Sequence, residues 1–275
     1  MDTAECYGVA EEVIGRTVAH RRSEFILATK AGHVAQGYSG EHWTAKTARE
    51  SIERSLVRMK TDYVAILQLH VVEITFPPPD EVVQAALDAK QAGETRFLGY
   101  GQENEHAISA IKTGLYDTLQ TTFNIVDQRA RYGLFALAKE KGVGIILKRP
   151  IANALWGRLG LPSDYYNKTD GVGNELAERT KAMAALGPIP GAPDDPIELA
   201  LGFALSHRAV ATAIVGTRNP AHMRANVDIV NEKLPLAQGV VEEPHQRYDR
   251  IGRSWPSLDF RRAREWEAAQ TGFHQ

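Results

Sequence analysis

The sequence lacks features that are typical of several classes of protein. Cys6 is the single cysteine among the 275 residues, so the chain can form neither an internal disulfide framework nor a cysteine-based zinc site. No apolar run approaches the length of a membrane span, and no basic start followed by an apolar segment indicates a secretory signal. We therefore expect a cytoplasmic protein.

An excess of charge of one sign is also lacking. The chain has 32 Lys and Arg against 34 Asp and Glu, a formal net charge of −2. This balance favours neither nucleic acid nor an anionic membrane as a partner, and we expect a small-molecule substrate instead. The hydrophobic share of 43% is typical of a globular protein that buries a sizeable core.

Short β-rich runs alternate with amphipathic stretches along most of the chain. The six candidate strands cover residues 25–30, 63–70, 95–101, 118–124, 142–150 and 211–217. Their apolar residues are nearly continuous, which indicates burial on both faces, as in a parallel sheet. Strands that alternate with helices in this way form βα units, and a closed barrel needs eight of them.

Helix signals lie between these strands. Helices are predicted over 44–59, over 80–92, after an Asp195 cap and after an Asn219 cap. The Gly/Pro-rich stretch 157–195 is too long for an ordinary connection, which predicts an active-site loop with partial structure of its own. Residues 235–275 are predicted to hold a helix and a tail. No linker divides the chain, so residues 1–275 are predicted to form a single domain.

Three of the predicted strands end on polar or reactive side chains, Lys30, His70 and Gln120. In a βα barrel the working residues gather at the carboxyl ends of the strands. Together with the opening segment MDTAECYG, the chain presents Asp2, Tyr7, Lys30 and His70 in that order. This set resembles the catalytic residues of the aldo-keto reductases, in which Asp-x-x-x-x-Tyr follows the second strand, and Lys and His end the third and fourth.

The resemblance extends over roughly residues 1–234. It implies a (β/α)8 barrel of the TIM type and an enzyme that reduces aldehydes and ketones to alcohols with NADPH. By this resemblance Tyr7 is the general acid, Lys30 lowers the pKa of Tyr7, Asp2 holds Lys30, and His70 orients the substrate carbonyl. The chemistry agrees, because a tyrosine with an ordinary pKa of about 10 needs a nearby ammonium to become an effective acid. The resemblance continues in GRTVAHRRSEFILATKAG, SIERSLVRMKTDYVAILQLH and AIVGTRNPAHMRAN.

The segment GTRNP follows the last predicted strand and opens a helix, whose N-terminus favours an anion. The guanidinium groups of Arg218 and Arg224 suit an adenosine 2′-phosphate, which favours NADPH over NADH. A plain helix cap with solvated arginines remains the alternative. The resemblance assigns cofactor contacts to Gln102, Gln120, Lys148, Gly216, Thr217, Arg218, Asn219, His222 and Asn226.

Two positions depart from the family's pattern. Gly101 stands where a serine commonly holds the nicotinamide carboxamide, and Lys148 stands where an aromatic ring often stacks on the nicotinamide. These departures keep open a second hypothesis, an NADPH-binding protein that is regulatory or catalytically impaired. A metal-dependent hydrolase would need paired histidines at a strand end. His33 and His42 fall in a loop instead, so no metal site is predicted.

The substrate pocket depends on three loops, at 31–43, 71–79 and 151–195, and the sequence does not identify the carbonyl compound. An aromatic lining is predicted from Trp43, Phe76, Trp156, Tyr165 and Tyr166.

The family's pattern also implies residues before Met1. Asp2 and Tyr7 belong just after the second strand, so the first βα unit and most of strand 2, roughly 40–60 residues, are expected upstream. Without them we expect an open barrel with exposed edges. We also expect Asp2, beside a free terminus, to hold Lys30 loosely.

Overall fold

The computed structural model describes residues 1–35, 37–70, 77–157 and 172–258. The chain divides into two compact units, Met1–Gln120 with Glu140–Val143, and Thr121–Lys139 with Gly144–Gln275. Six parallel strands follow one another in the sheet in chain order. They are β1 (Ala28–Ala31), β2 (Val64–Leu69), β3 (Thr95–Gly101), β4 (Thr118–Thr122), β5 (Gly144–Lys148) and β6 (Val210–Ala213).

Helices connect these strands in the βα pattern that the sequence predicts. They are α1 (Ala10–Thr17), α2 (Ala45–Met59), α3 (Asp80–Gln91), α4 (Asn104–Thr113), α5 (Leu134–Lys141), α6 (Val172–Ala184), α7 (Pro196–Leu205), α8 (Pro220–Asp228) and α9 (Gln238–Arg247). None of the helices in the described ranges is long and apolar enough to cross a bilayer.

The first unit is built on the pairing of β1, β2 and β3. Lys30 lies beside Gln68, and Gln68 lies beside Gly99. Only a glycine fits beside Gln68 at Gly99, because a Cβ there would lie too close to its neighbours, 2.8 Å from Cγ of Gln68 and 2.6 Å from Oγ1 of Thr118. The register therefore places Lys30 and Gln68 side by side near the carboxyl ends of their strands.

The second unit pairs β5 with β6, with Ile145 beside Val210 and Leu147 beside Ala213. Its core includes Phe123, which stacks on Phe203 with ring centroids 5.4 Å apart. Aromatic packing of this kind contributes both apolar burial and a favourable ring geometry.

All six predicted strands and the four predicted helices are confirmed, with ends that differ by a few residues. The predicted burial of every strand on both faces is wrong for β6, whose four residues are half-buried or exposed, and for the start of β3, where Arg96 and Phe97 are exposed. Among the described residues β6 lies at the end of the strand order and pairs with β5 alone, so one of its edges has no neighbouring strand.

The two remaining segments agree with the expectations in part. The predicted loop 157–195 does contain structure of its own, the helix α6, while residues 158–171 lie outside the described residues. The predicted C-terminal helix is α9, and residues 259–275 lie outside the described residues as well.

The cap of α7 offers a test of how this unit is stabilised. Asp195 accepts a hydrogen bond from the N–H of Ile197 at 2.8 Å, and Pro196 opens the helix. We expect Asp195→Ala to lower the free energy of unfolding by about 1 kcal/mol, because an N–H of the first turn loses its acceptor. Urea denaturation measures the change. The neighbouring exposed Asp194 is the matched control, and an equal loss in Asp194→Ala would contradict the capping role.

Candidate active site

The first residues of the chain run beside β1 as a short piece of parallel strand. Asp2 forms a parallel bridge with Ala28. The N–H of Thr3 donates to the carbonyl of Ala28 at 3.0 Å, and the N–H of Ala28 donates to the carbonyl of Met1 at 2.9 Å. These bonds fix the backbone of Asp2 beside the strand that carries Lys30.

Asp2 and Lys30 form a largely buried ion pair. Nζ of Lys30 lies 2.5 Å from Oδ2 of Asp2 and donates a second hydrogen bond to the carbonyl of Thr3 at 2.7 Å. Lys30 is only 4% exposed. The expectation that Asp2 holds Lys30 loosely is therefore wrong, because pairing with β1 orders the backbone of Asp2 and the ion pair orders its side chain.

Tyr7 and His70 lie next to this ion pair. Tyr7 stands in a turn and is 48% exposed, and Nζ of Lys30 lies 4.8 Å from the centroid of its ring. His70 follows β2 directly, and its ring meets that of Tyr7 edge to face at a centroid distance of 5.9 Å. The structure thus brings the four predicted catalytic residues, Asp2, Tyr7, Lys30 and His70, together within the first unit.

Cys6, which is not among the predicted site residues, contacts His70. Its Sγ lies 3.6 Å from Nδ1 of His70. Burial raises the pKa of the Cys6 thiol, so the thiol stays protonated near neutral pH. A protonated thiol can donate to Nδ1, which leaves the ring proton of a neutral His70 on Nε2.

Two buried amides complete the surroundings of Asp2. Nε2 of Gln68 donates to Oδ1 of Asp2 at 2.8 Å, and Nε2 of Gln120 donates to the same oxygen at 3.1 Å. Gln120 is a predicted site residue, whereas sequence reasoning missed Gln68. One signal was present, since Gln68 precedes His70 by two residues and side chains two apart in a strand share a face.

The loop after β1 adds a wall of rings around His70. The ring of His33 lies 5.2 Å from that of His70 and 5.3 Å from that of Trp43. Trp43 packs against Gly32, where a Cβ would lie 2.9 Å from the indole. Of the residues predicted to line the pocket, Trp43 lies beside His33, Trp156 is half-buried in the second unit, and Phe76, Tyr165 and Tyr166 lie outside the described residues.

The predicted nicotinamide contacts at the ends of β3 and β5 differ in their surroundings. The side-chain oxygen of Gln102 accepts a hydrogen bond from the N–H of Glu103 at 3.0 Å, so part of this amide is used locally. Among the described residues, an added Cβ at Gly101 would meet only the carbonyl of Leu69, at 3.9 Å. Lys148, at the end of β5 in the second unit, is half-buried.

The predicted cofactor segment lies in the second unit, between β6 and α8. Asn219 caps α8 by accepting from the N–H of Ala221 at 3.0 Å, and Thr217 accepts from the N–H of Asn219 at 3.1 Å. These donors are already in use, so an anion here would depend mainly on the exposed side chain of Arg218. Gly216 leaves space, because no atom of the described ranges lies within 4 Å of an added Cβ. His222 is exposed and Asn226 half-buried on α8.

A metal centre finds no support in the described ranges, where no three His, Cys, Asp or Glu side chains converge in a way that could hold an ion. His33 and His42 lie close together, with ring centroids 5.6 Å apart. Nδ1 of His42, however, accepts a hydrogen bond from the N–H of Val34 at 3.1 Å.

Comparison with known proteins agrees with this geometry. Residues 1–242 match the model of the aldo/keto reductase family. An uncharacterised oxidoreductase of Bacillus subtilis, YqkF, is 30% identical over 244 residues, which cover 85% of this chain and 78% of that protein. L-galactose dehydrogenase of Arabidopsis thaliana is 28% identical over 93% of this chain and 82% of its own length.

A solved structure shows the same fold. The holo form of the aldo-keto reductase AKR11C1 from Bacillus halodurans superposes with a TM-score of 0.73 and 30% sequence identity, and the match covers 90% of this chain and 81% of that one. The parallel βα architecture is therefore of the (β/α)8 barrel type, and relatives of this kind are oxidoreductases. This chain belongs to the aldo/keto reductase family.

Proposed function

We propose that this protein reduces an aldehyde or ketone to the alcohol with NADPH and that Tyr7 donates the proton. Membership of the family implies NAD(P)H-dependent carbonyl reduction. The observation that carries the proposal for Tyr7 is the position of Lys30, whose ammonium is held by Asp2 at 2.5 Å and lies 4.8 Å from the centroid of the Tyr7 ring.

The residues present suit the cofactor. Arg218 and Arg224 are exposed, and no ion pair engages either of them among the residues that the structure describes, so both guanidinium groups are available for a phosphate. Gly216 leaves space beside them. We propose that Thr217, Asn219, His222 and Asn226 complete this contact, and that Gln102, Gln120 and Lys148 lie toward the nicotinamide. When bound, NADPH supplies the hydride that adds to the carbonyl carbon.

Tyr7 supplies the proton that the reaction needs at oxygen. The developing alkoxide takes the phenolic proton, and the ammonium of Lys30 stabilises the phenolate that remains. Because Tyr7 is 48% exposed, solvent can return a proton to it after the alcohol leaves. Asp2 keeps Lys30 in place, so the stabilisation of the phenolate depends on both residues.

His70 is proposed to orient the carbonyl. Cys6 contacts Nδ1 of His70, and a proton on Nε2 allows the ring to donate a hydrogen bond to the substrate oxygen. A ring that donates in this way polarises the carbonyl, while Tyr7 supplies the proton.

A second candidate function rests on Gly101 and Lys148. The absence of a hydroxyl at Gly101 removes a contact to the nicotinamide carboxamide, and a cation at Lys148 would disfavour a nicotinamide ring that becomes positive on oxidation. Both changes suit a protein that holds NADPH but turns over slowly. Purified protein that binds NADPH without consuming it in the presence of a panel of aldehydes would favour this candidate.

We also propose that residues 1–275 act as one reductase domain with a C-terminal helix and tail from about residue 235. The family model supports this, because its match extends over residues 1–242. A small carbonyl compound is the proposed partner, with no role for nucleic acid. The proposed setting is the cytoplasm, where the free Cys6 would stay reduced.

Tyr7→Phe tests the proton donor. We expect the rate of carbonyl reduction to fall by about 10²–10⁴-fold, which is the usual contribution of a positioned acid. NADPH affinity should stay unchanged, because the phenol contacts no phosphate. Steady-state kinetics and fluorescence titration measure the two quantities. Tyr63→Phe is the control, since Tyr63 precedes β2 and therefore lies at the opposite end of that strand from His70. Full activity in Tyr7→Phe would assign the proton to another group.

Arg218→Ala tests the preference for NADPH. The loss of a charge-assisted bond to the 2′-phosphate should weaken NADPH binding by about tenfold to a hundredfold. The affinity for NADH, which has no such phosphate, should not change. Titration of both cofactors provides the measurement, and Arg208→Ala removes another exposed arginine of the same unit as the control. Equal affinity of the unaltered protein for NADPH and NADH would rule out the 2′-phosphate contact.

Gly101→Ser tests the two candidate functions against each other. The space around Gly101 accepts a small side chain, so the substitution should restore a hydroxyl contact and tighten NADPH binding by about fivefold, near 1 kcal/mol. Titration measures the affinity and single-turnover kinetics measures the hydride step. Tighter binding without a faster hydride step would favour the protein that holds NADPH with slow turnover.

A further inference from the structure

A buried amide, Gln68, contacts the catalytic cluster without a role in the reaction described above. It lies on β2 two residues before His70, beside Lys30 of β1, and is 1% exposed. Its Nε2 donates to Oδ1 of Asp2 at 2.8 Å. Because an ionised carboxylate only accepts hydrogen bonds, the nitrogen of the amide must be the end that faces Asp2.

The two oxygens of the Asp2 carboxylate accept hydrogen bonds from different donors, one oxygen from a charged group and the other from neutral amides. Oδ2 accepts from Lys30, and Oδ1 accepts from both Gln68 and Gln120. The bond from Gln120 is longer, and this residue is also a proposed cofactor contact. Gln68 thus makes the shorter of the two hydrogen bonds to Oδ1 and is not a proposed cofactor contact.

Stability alone does not explain a glutamine at this position. Its Oε1 is buried and has no hydrogen-bond partner within the described part of the chain, and an unsatisfied buried acceptor costs free energy. An unbranched apolar side chain of the same length would fill the same space without that cost. The benefit of Gln68 must therefore come from the bond to Asp2.

We propose that Gln68 is a positioning residue, which fixes the rotation of the Asp2 carboxylate so that the opposite oxygen holds the Lys30 ammonium beside Tyr7. The proposal rests on the proposed function. A carboxylate has a broad torsional preference about its last bond, so a single ion pair leaves it free to turn. The bond from Gln68, the shorter of the two on the other oxygen, restricts that rotation and keeps Lys30 within reach of the phenolate.

A double-mutant cycle tests this role. Gln68→Met keeps the length of the side chain and removes the donor. We expect kcat for carbonyl reduction to fall by about 10- to 100-fold, the scale of a misplaced catalytic group, with KM for NADPH unchanged. In a Lys30→Met background the same substitution should cost nothing further, because the ammonium that Gln68 positions is already gone. Single-turnover kinetics at high protein concentration measures the weak activity of that background.

The matched control is Gln128→Met. Gln128 is an equally buried glutamine that donates to the carbonyls of Ile125 and Pro244, so its loss should lower the melting temperature without changing kcat. An unchanged kcat in Gln68→Met would overturn the proposal. So would an equal loss from Gln68→Met in both backgrounds, since a packing defect acts whether or not Lys30 is present.

Gln68→Glu provides a test that does not require an apolar replacement. The introduced carboxyl has the shape of the amide. When protonated it can donate to Asp2, and when ionised it repels Asp2. We therefore expect kcat relative to the unaltered protein to recover as the pH falls and to drop as the pH rises. A ratio that is constant across the pH range would contradict the role as a donor.

The two proposals fail in different ways. If Tyr7→Phe is fully active, the proposed mechanism itself is wrong. If Tyr7→Phe is inactive while both Gln68 variants keep full activity at every pH, only the role of Gln68 is wrong.

Discussion

The arrangement of the site depends on the ion pair between Asp2 and Lys30. Burying two charges costs free energy, and their attraction compensates only when the geometry is good and the remaining donors and acceptors are also satisfied. Here Lys30 bonds to the carbonyl of Thr3, and Asp2 accepts from Gln68 and Gln120. A pair that is buried in this way is better explained by position than by stability, because an apolar pair would cost less. What it positions is a cation next to Tyr7.

The parallel sheet makes this arrangement of side chains possible. Parallel strands bring their carboxyl ends to one edge, so Lys30, Gln68 and Gln120 meet although up to ninety positions separate them in the chain. Hydrogen bonds between neighbouring strands then fix the backbone positions from which these side chains extend. Asp2 joins the same edge through its bridge to Ala28. Tyr7 differs from these residues because it stands in a turn and stays exposed, which suits the proposed role of a proton donor that solvent reprotonates.

Much of the fold and of the site could be predicted from the sequence. Continuous apolar runs predict the six strands. Polar residues at the strand ends predict Lys30, His70 and Gln120 as site residues, because the active site of a βα barrel lies at the carboxyl ends of its strands. Gln68 was missed, although its spacing of two residues from His70 was a signal, because its contact with Asp2 becomes evident only when the register places it beside Lys30. The burial of β6 was mispredicted for a related reason. Apolar composition indicates what a strand can bury, whereas its place in the strand order decides what covers it.

Local sequence was also a poor guide to how firmly Asp2 is held. Asp2 lies between two backbone hydrogen bonds to β1 and accepts three more from side chains. Order at this position comes from contacts with residues 28, 30, 68 and 120, none of which is a neighbour in sequence. The same contacts explain how the segment MDTAECYG joins the candidate site. Asp2 and Tyr7 lie beside strands that come later in the chain, so the arrangement proposed for catalysis forms only together with the sheet.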